Sequence, residues 1–200
     1  VPAAGLAIDF ASSEQFALEA EVIATLSAGP VALALGAVGN PTTIALERRT
    51  VDVDSDGNGT ADLIGATLDT LAVTISSVTV TVPDAVTLSL TGGSLALASV
   101  TVGGSARYTG LKMGAVTGTG TLDPDLGVAL TGTVTVKRFD YNSAATGVGR
   151  LNWASAFDLD EDGGFDDVLV PAAGLAIDFA SSEQFALAAT VSSGSLSAGP

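Results

Sequence analysis

Two short stretches hold most of the residues able to do chemistry. One runs Asp54-Ser55-Asp56-Gly57-Asn58-Gly59-Thr60-Ala61-Asp62. The other runs Asp158-Leu159-Asp160-Glu161-Asp162-Gly163-Gly164-Phe165-Asp166, and both fit D-x-D-x-[DN]-G-x-x-D. Side-chain oxygens at positions 1, 3 and 5 of so tight a loop converge on one point. The glycine at position 6 supplies the bend, the residue at position 7 offers its carbonyl, and the aspartate at position 9 closes an all-oxygen shell. Such a shell suits a hard cation. Calcium fits better than magnesium, which demands a stricter octahedron and parts reluctantly with its water. The spacing therefore assigns Asp54, Asp56, Asn58, Thr60 and Asp62 to one Ca2+ site and Asp158, Asp160, Asp162, Gly164 and Asp166 to a second. Asp52, Glu161 and Asp167 fall outside the pattern and are placed to help through water.

Ten of the 22 acidic residues lie within 52–62 and 158–167. A bare loop of this kind repels itself and is expected to lose order unless a cation fills it. The loops resemble the short EF-hand-like calcium loops of integrin-propeller hairpins and of many bacterial surface repeats. They depart from a helix–loop–helix site at position 12, where Gly65 and Leu169 replace the bidentate glutamate.

Other chemistries have little to stand on. The chain contains no His, no Cys and no G-x-S-x-G, which removes triads, thiol mechanisms and zinc–cysteine sites. Glu14 with Glu19 or Glu21 could in principle form a glycosidase pair, but they read better as charges on an exposed strand face. The expectation is a protein that is not an enzyme. A net charge of −15 with only seven Lys and Arg excludes nucleic acid as a partner and disfavours anionic membranes. Val22–Leu46 and Ala85–Ala106 are long and uncharged, yet Gly29-Pro30, Gly39-Asn40-Pro41 and Gly92-Gly93 break them, so no membrane insertion is expected.

The apolar residues are mainly Val, Leu, Ile and Ala, set among Thr, Ser and 24 Gly. That mixture on alternating positions means strands. Leu6, Ile8 and Phe10 alternate before Ser12-Ser13, and Phe16, Leu18, Ala20 and Val22 alternate after it, which reads as a hairpin. Pro30–Val38, Thr43–Leu46, Leu71–Ile75, Val78–Val82, Val86–Leu90 and Leu95–Val102 follow as strands. Gly118–Val136 reads as a hairpin turned at Asp123-Pro124-Asp125, with its threonines on the wetter face. Turn signals come about every 8–12 residues, the spacing of an antiparallel sheet protein. The fold class is therefore all-β, an antiparallel sandwich or barrel-like repeat domain with calcium-binding turns, the alternative being a wide β-solenoid.

The largest feature is a repeat. Val1–Leu18 returns unchanged at Val170–Leu187, and Leu26–Pro30 returns at Leu196–Pro200. Residues 1–169 read as one full repeat and 170–200 as the start of the next, with Val31-like sequence expected after Pro200 and an acidic loop expected before Val1. Fainter echoes, Leu71–Ser77 against Leu175–Ser182 among them, point either to two related β-modules or to chance recurrence of small residues. The whole resembles the tandem-repeat regions of giant surface adhesins and repetitive filaments. That resemblance implies an extracellular, cell-surface stalk whose partners are further copies of the repeat in cis or in trans, stacked or joined by strand exchange. Val1–Pro30 would then complete either its own sheet or the preceding one. The rival reading is an adhesin module that presents Trp153, Tyr108 and Tyr141 to a glycan or surface. Trp153, Phe157 and Phe165 around the second loop could form a carbohydrate-stacking patch, but they read better as a core plug beneath it.

Overall fold

The computed structural model describes residues 13–28, 31–82, 86–122, 128–172 and 175–198. The chain is all-β and antiparallel. Its strands are β1 (Glu14–Val22), β2 (Ala24–Ala28), β3 (Val31–Leu35), β4 (Thr42–Val53), β5 (Leu63–Thr74), β6 (Ser77–Val82) and β7 (Val86–Thr91). They continue as β8 (Ser94–Val102), β9 (Ser105–Gly114), β10 (Val116–Leu122), β11 (Val128–Ala144), β12 (Leu169–Ala172), β13 (Leu175–Ile177) and β14 (Phe185–Ala198).

The ladder runs β1-β4-β5-β8-β9-β11 and returns β10-β7-β6-β3-β2, a barrel-like course, with β14 added on β11. Register shows what this order means. Met113 lies opposite Phe139 and Val116 opposite Val136, three residues on along both strands, so β9 and β10 are one long strand running beside β11. The same holds for β7 with β8 and for β5 with β6, where Thr74 faces Ser94 and Ser77 faces Thr91. β3 and β4 join around the loop Gly36–Pro41, and β1 and β2 join across Ile23. Long strands thus follow one another as an antiparallel meander. All ladders among the described residues are antiparallel, so the wide solenoid, which stacks parallel coils, is not the arrangement adopted.

A transverse crease interrupts the long strands. Ile75 donates its amide to the Gly93 carbonyl (2.9 Å), and Gly92 donates to Ser76 (3.4 Å). A side chain could not sit at Gly93, where a Cβ would stand 2.7 Å from the carbonyl oxygen of Gly114 and from Val116, at a φ of +92°. On the next strand Ala115 takes a φ of 56°, and in β11 the register shifts between Val136 and Arg138.

Alternation sorts the sheet into two faces near the acidic loops. Val51, Val53, Ala66, Leu68, Ala96, Ala98, Val100 and Tyr108 are buried on one face beneath the segment 151–179. That segment includes the β12–β13 hairpin and contributes Leu151, Trp153, Ala156, Phe157, Leu169, Ile177 and Phe179 to the core. Small residues on the sheet make room for large ones in the cap. A Cβ on Gly110 would stand 3.0 Å from Ile177 Cγ2 and Trp153 Cε2. The cap's polar groups are answered inside the core: Trp153 Nε1 donates to Asn142 Oδ1 (3.0 Å), and Asn142 Nδ2 donates to the Leu151 carbonyl (3.0 Å).

The opposite face carries a row of apolar residues in register, Leu18, Leu46, Leu71, Leu97, Leu111, Tyr141 and Phe185, one from each successive strand. Phe185 packs edge-on against Phe139, with ring centroids 5.5 Å apart. The strands read from alternation are thus present, except that β3 ends at Leu35 rather than Val38, with Pro30 outside the described residues; Gly118–Thr121 does pair with β11. The Leu6–Phe10 half of the first hairpin and the Asp123–Asp125 turn lie outside the described residues. The two echoing segments sit differently: Leu71–Ser77 spans the crease of the sheet, whereas Leu175–Ser182 belongs to the cap above it. No helix of the described residues is long and apolar enough to cross a membrane.

Candidate metal centres

The first acidic loop connects β4 to β5 and the second leads from the sheet into β12. An antiparallel bridge between Val53 and Phe157 brings them to the same end of the fold, and a second bridge joins Phe157 to Asp167. The Asp54 amide reinforces the contact by donating to the Ala156 carbonyl (3.1 Å).

In the first loop the backbone curls around Asp54, which is only 3% exposed. Its Oδ1 accepts the amide of Gly57 (2.7 Å) and its Oδ2 that of Gly59 (2.7 Å), with Asp56 and Asn58 amides at 3.3 Å from Oδ1. Gly57 and Gly59 both take a φ of +80°, which turns those amides inward. Asp62 closes the loop from the far side, its Oδ2 accepting the Ser55 amide (2.9 Å), the Ser55 hydroxyl (2.8 Å) and the Asp56 amide (3.2 Å). Asn58 Oδ1 accepts the Thr60 amide (2.8 Å), and Asp52 steadies the base by accepting from Gly65 (2.8 Å). Burial pushes the Asp54 carboxyl upward, but the converging amides of Gly59, Gly57, Asn58 and Asp56 outweigh it and hold the group below the ordinary carboxylate range.

The second loop repeats the plan with one residue more. Asp158 accepts the Asp162 and Gly163 amides (both 3.0 Å), and Asp162 Oδ1 accepts that of Gly164 (2.8 Å). Glu161, at a φ of 63°, stands where the first loop has Gly57. The closing role falls to Asp167, whose Oδ2 accepts from Leu159 (2.6 Å) and Asp160 (2.9 Å) as Asp62 does from Ser55 and Asp56. The Asp162 amide pulls Asp160 down, but burial and the charges of Asp162, Asp167 and Asp158 prevail and raise it.

One carboxylate oxygen from each of Asp54, Asp56 and Asp62 lies within 4.8 Å of the other two, and the same is true of Asp158, Asp160 and Asp167. Oδ1 of Asp162 and Oδ1 of Asp166 both lie near Gly164, where a Cβ would stand 3.1 Å from each. The spacing thus picks out the first triplet, while in the second loop the structure brings Asp167 in where the pattern names Asp166. The adjacent acid pair Asp166-Asp167 was the available signal, and nothing in the spacing says which of the two turns inward. Self-repulsion is partly answered by backbone amides, so both loops hold a defined shape. The donor set suits a hard cation: it is all oxygen, it is doubly or triply anionic, and an ionised carboxylate that accepts amides keeps lone pairs to spare. Two acidic clusters could therefore each hold a metal ion.

A cavity of about 620 Å³ lies beside the second loop, lined by Asp52, Asp158, Glu161 and Asp162 together with Thr50 and Phe165. Of the aromatic residues considered for a glycan, Trp153 and Tyr108 lie inside the core and Tyr141 is exposed. Trp153 and Phe157 pack together with ring centroids 5.7 Å apart, the core plug beneath the loop. No family model, curated protein or solved structure matches the chain.

Proposed function

We propose that this chain is a repeat of an extracellular stalk or filament, stiffened by Ca2+ and serving a mechanical rather than a catalytic role. The observation that carries the reading is the pairing of the two carboxylate triplets at one end of the sheet, tied through Val53 and Phe157. An ion in the first loop would lock the β4–β5 corner, and an ion in the second would lock the cap onto the same corner. Loops of this ligand type bind calcium at roughly 10⁻⁴–10⁻³ M in extracellular modules. At about 1 mM calcium, mass action then adds roughly 0.4–1.4 kcal/mol per site. For one domain that is modest, but summed along a series of repeats it sets stiffness. The eighteen-residue identity between the two copies supports serial repetition, since length and periodicity are served by copies kept alike.

Thermal unfolding with 1 mM CaCl2, with MgCl2 and with EDTA tests the reading. Calcium should raise the midpoint by several degrees over EDTA, with magnesium well below it. Equal midpoints in all three would remove calcium from the account.

A further inference from the structure

We propose that the segment 185–198 is a shared strand, at once the last strand of one repeat and the first of the next, so that the sheet passes through the repeat boundary uninterrupted. This deepens the reading above and rests on its serial arrangement of copies, not on its calcium.

The argument starts from identity. Residues 14–18 and 183–187 are the same sequence, as are 26–28 and 196–198, with one extra residue between these blocks in the second copy. The extra residue is absorbed where the β11–β14 register skips from Ser192 to Gly194. One sequence thus occurs twice in the fold, and the two occurrences have different neighbours. The first copy, β1 with β2, pairs with β4 and β3, the strands that follow it. The second copy, β14, pairs with β11, which precedes it. A strand has two edges, and the two copies between them display a partner for each.

The two sets of contacts do not compete. Toward the following strand, the carbonyl of Ser13 accepts from Thr50 (2.8 Å) and the Gln15 side chain donates to the Thr50 hydroxyl (2.5 Å). Toward the preceding strand, the carbonyl of Gln184 accepts from Asn142 (2.9 Å) and the Glu183 side chain accepts from Arg138 (2.9 Å). Ser182 and Gln184 correspond to Ser13 and Gln15, and Glu183 to Glu14, so no group is needed twice. Both copies also leave apolar side chains half in solvent, Phe16 at 49% and Leu18 at 48%, Phe185 at 59% and Leu187 at 57%. Where β1 carries Glu19 and Glu21, β14 carries Ala188 and Thr190. The second copy therefore lacks the charges that blunt a free edge.

Carrying the first copy's register onto the second sets Leu187 against Leu46 of the next copy, Ala189 against Ile44 and Thr190 against Thr43. Each repeat would then add six long strands, an advance of about 29 Å across the sheet at a spacing of about 4.8 Å per strand.

The test extends the full chain with a second copy of residues 31–200 after Pro200. Cysteine is absent from the sequence, so an introduced pair reports one contact only. Ala189→Cys with Ile44→Cys in the second copy should form a disulfide at least ten-fold faster than Ala189→Cys with Arg48→Cys in the second copy. In the unsubstituted extended chain, about half of the 185–198 amides, those pointing to the outer edge, should become protected from hydrogen exchange relative to the 200-residue chain. No preference between the cysteine pairs, or unchanged exchange of 185–198, would overturn the shared strand. A disulfide that forms equally in EDTA keeps the shared strand and counts against calcium, whereas a calcium-dependent midpoint with unchanged exchange does the reverse.

Discussion

Val53 and Phe157 face each other in an antiparallel bridge, and neither side chain retains exposed surface. Each stands next to the first aspartate of an acidic loop, so the two loops share one apolar wall. Truncating Phe157 should therefore do two things at once. Phe157→Ala is expected to cost about 3–5 kcal/mol through lost burial and a residual cavity. It should also weaken calcium binding at both loops, although its ring supplies no ligand atom and acts only through the backbone it shares with Asp158 and bridges to Asp167. Urea unfolding and calorimetric titration of the same variant check this, and a calcium isotherm left intact would show that the loops act independently.

The second loop gives a sharper comparison. Asp167 closes it through the amides of Leu159 and Asp160, whereas Asp166 lies with Asp162 near Gly164. Asp167→Asn should lower calcium affinity of this site at least ten-fold, because it removes a charge from the clustered triplet. Asp166→Asn should change it by less than three-fold. Titration calorimetry on the two variants decides, and the reverse order would return position 9 to Asp166.

These contrasts mark what the sequence made legible. Simple alternation located strands such as Val78–Val82 and Leu95–Val102, and within the latter Ala96, Ala98 and Val100 fall on the covered face as period two requires. In the first loop the three carboxylates that cluster, Asp54, Asp56 and Asp62, are all residues that the spacing names. In the second the cluster takes in Asp167, which spacing does not distinguish from its neighbour Asp166. Nor does alternation reveal that β9 and β10 form one strand. The crease at Gly93 and Ala115 looks like a turn in sequence, yet register passes straight across it. The cap was legible only in part. Trp153 and Phe157 form the core plug that the sequence places beneath the second loop, whereas Ile177 and Phe179 come from a very short strand and irregular chain, whose burial depends on the room left by Gly110 and the alanines opposite.

Asp54 of the first loop and Asp160 of the second should answer acid in opposite senses when calcium is removed. Asp54 is held below its ordinary value of 3.8, so its contribution is present above that pH and is lost as pH falls through the lower, folded value. Asp160 is raised above 3.8, so its ionisation opposes the fold at neutral pH and that penalty is relieved as pH drops through the raised value. In EDTA, Asp54→Asn should therefore lower the melting temperature at pH 6 and flatten its decline below pH 4. Asp160→Asn should raise the melting temperature at pH 6 and have little effect below pH 4. Midpoints recorded from pH 3 to pH 7 test both signs, and parallel curves for the two variants would contradict the assignment.

Closure of the cap depends on a missing side chain. At Gly110 a Cβ would press against Trp153 and Ile177 at 3.0 Å, both fully buried, so Gly110→Ala must lift the cap or shift the sheet. An overpacked core of this kind should lose about 1–3 kcal/mol. Gly104 offers the matched control. It lies in the β8–β9 turn at a φ of +81° with nothing near its missing Cβ, so Gly104→Ala costs only backbone strain of about 1–2 kcal/mol. Stability alone would not separate the two, but the single tryptophan does. Trp153 is enclosed by the cap, so Gly110→Ala should shift its emission toward that of a solvated indole and weaken protection of the Trp153 amide, which donates to Phe179 (2.8 Å). Gly104→Ala should leave both signals in place. If Gly110→Ala lowers the unfolding midpoint with emission and exchange unchanged, the sheet rather than the cap has yielded, and the cap is held by more than its fit over Gly110.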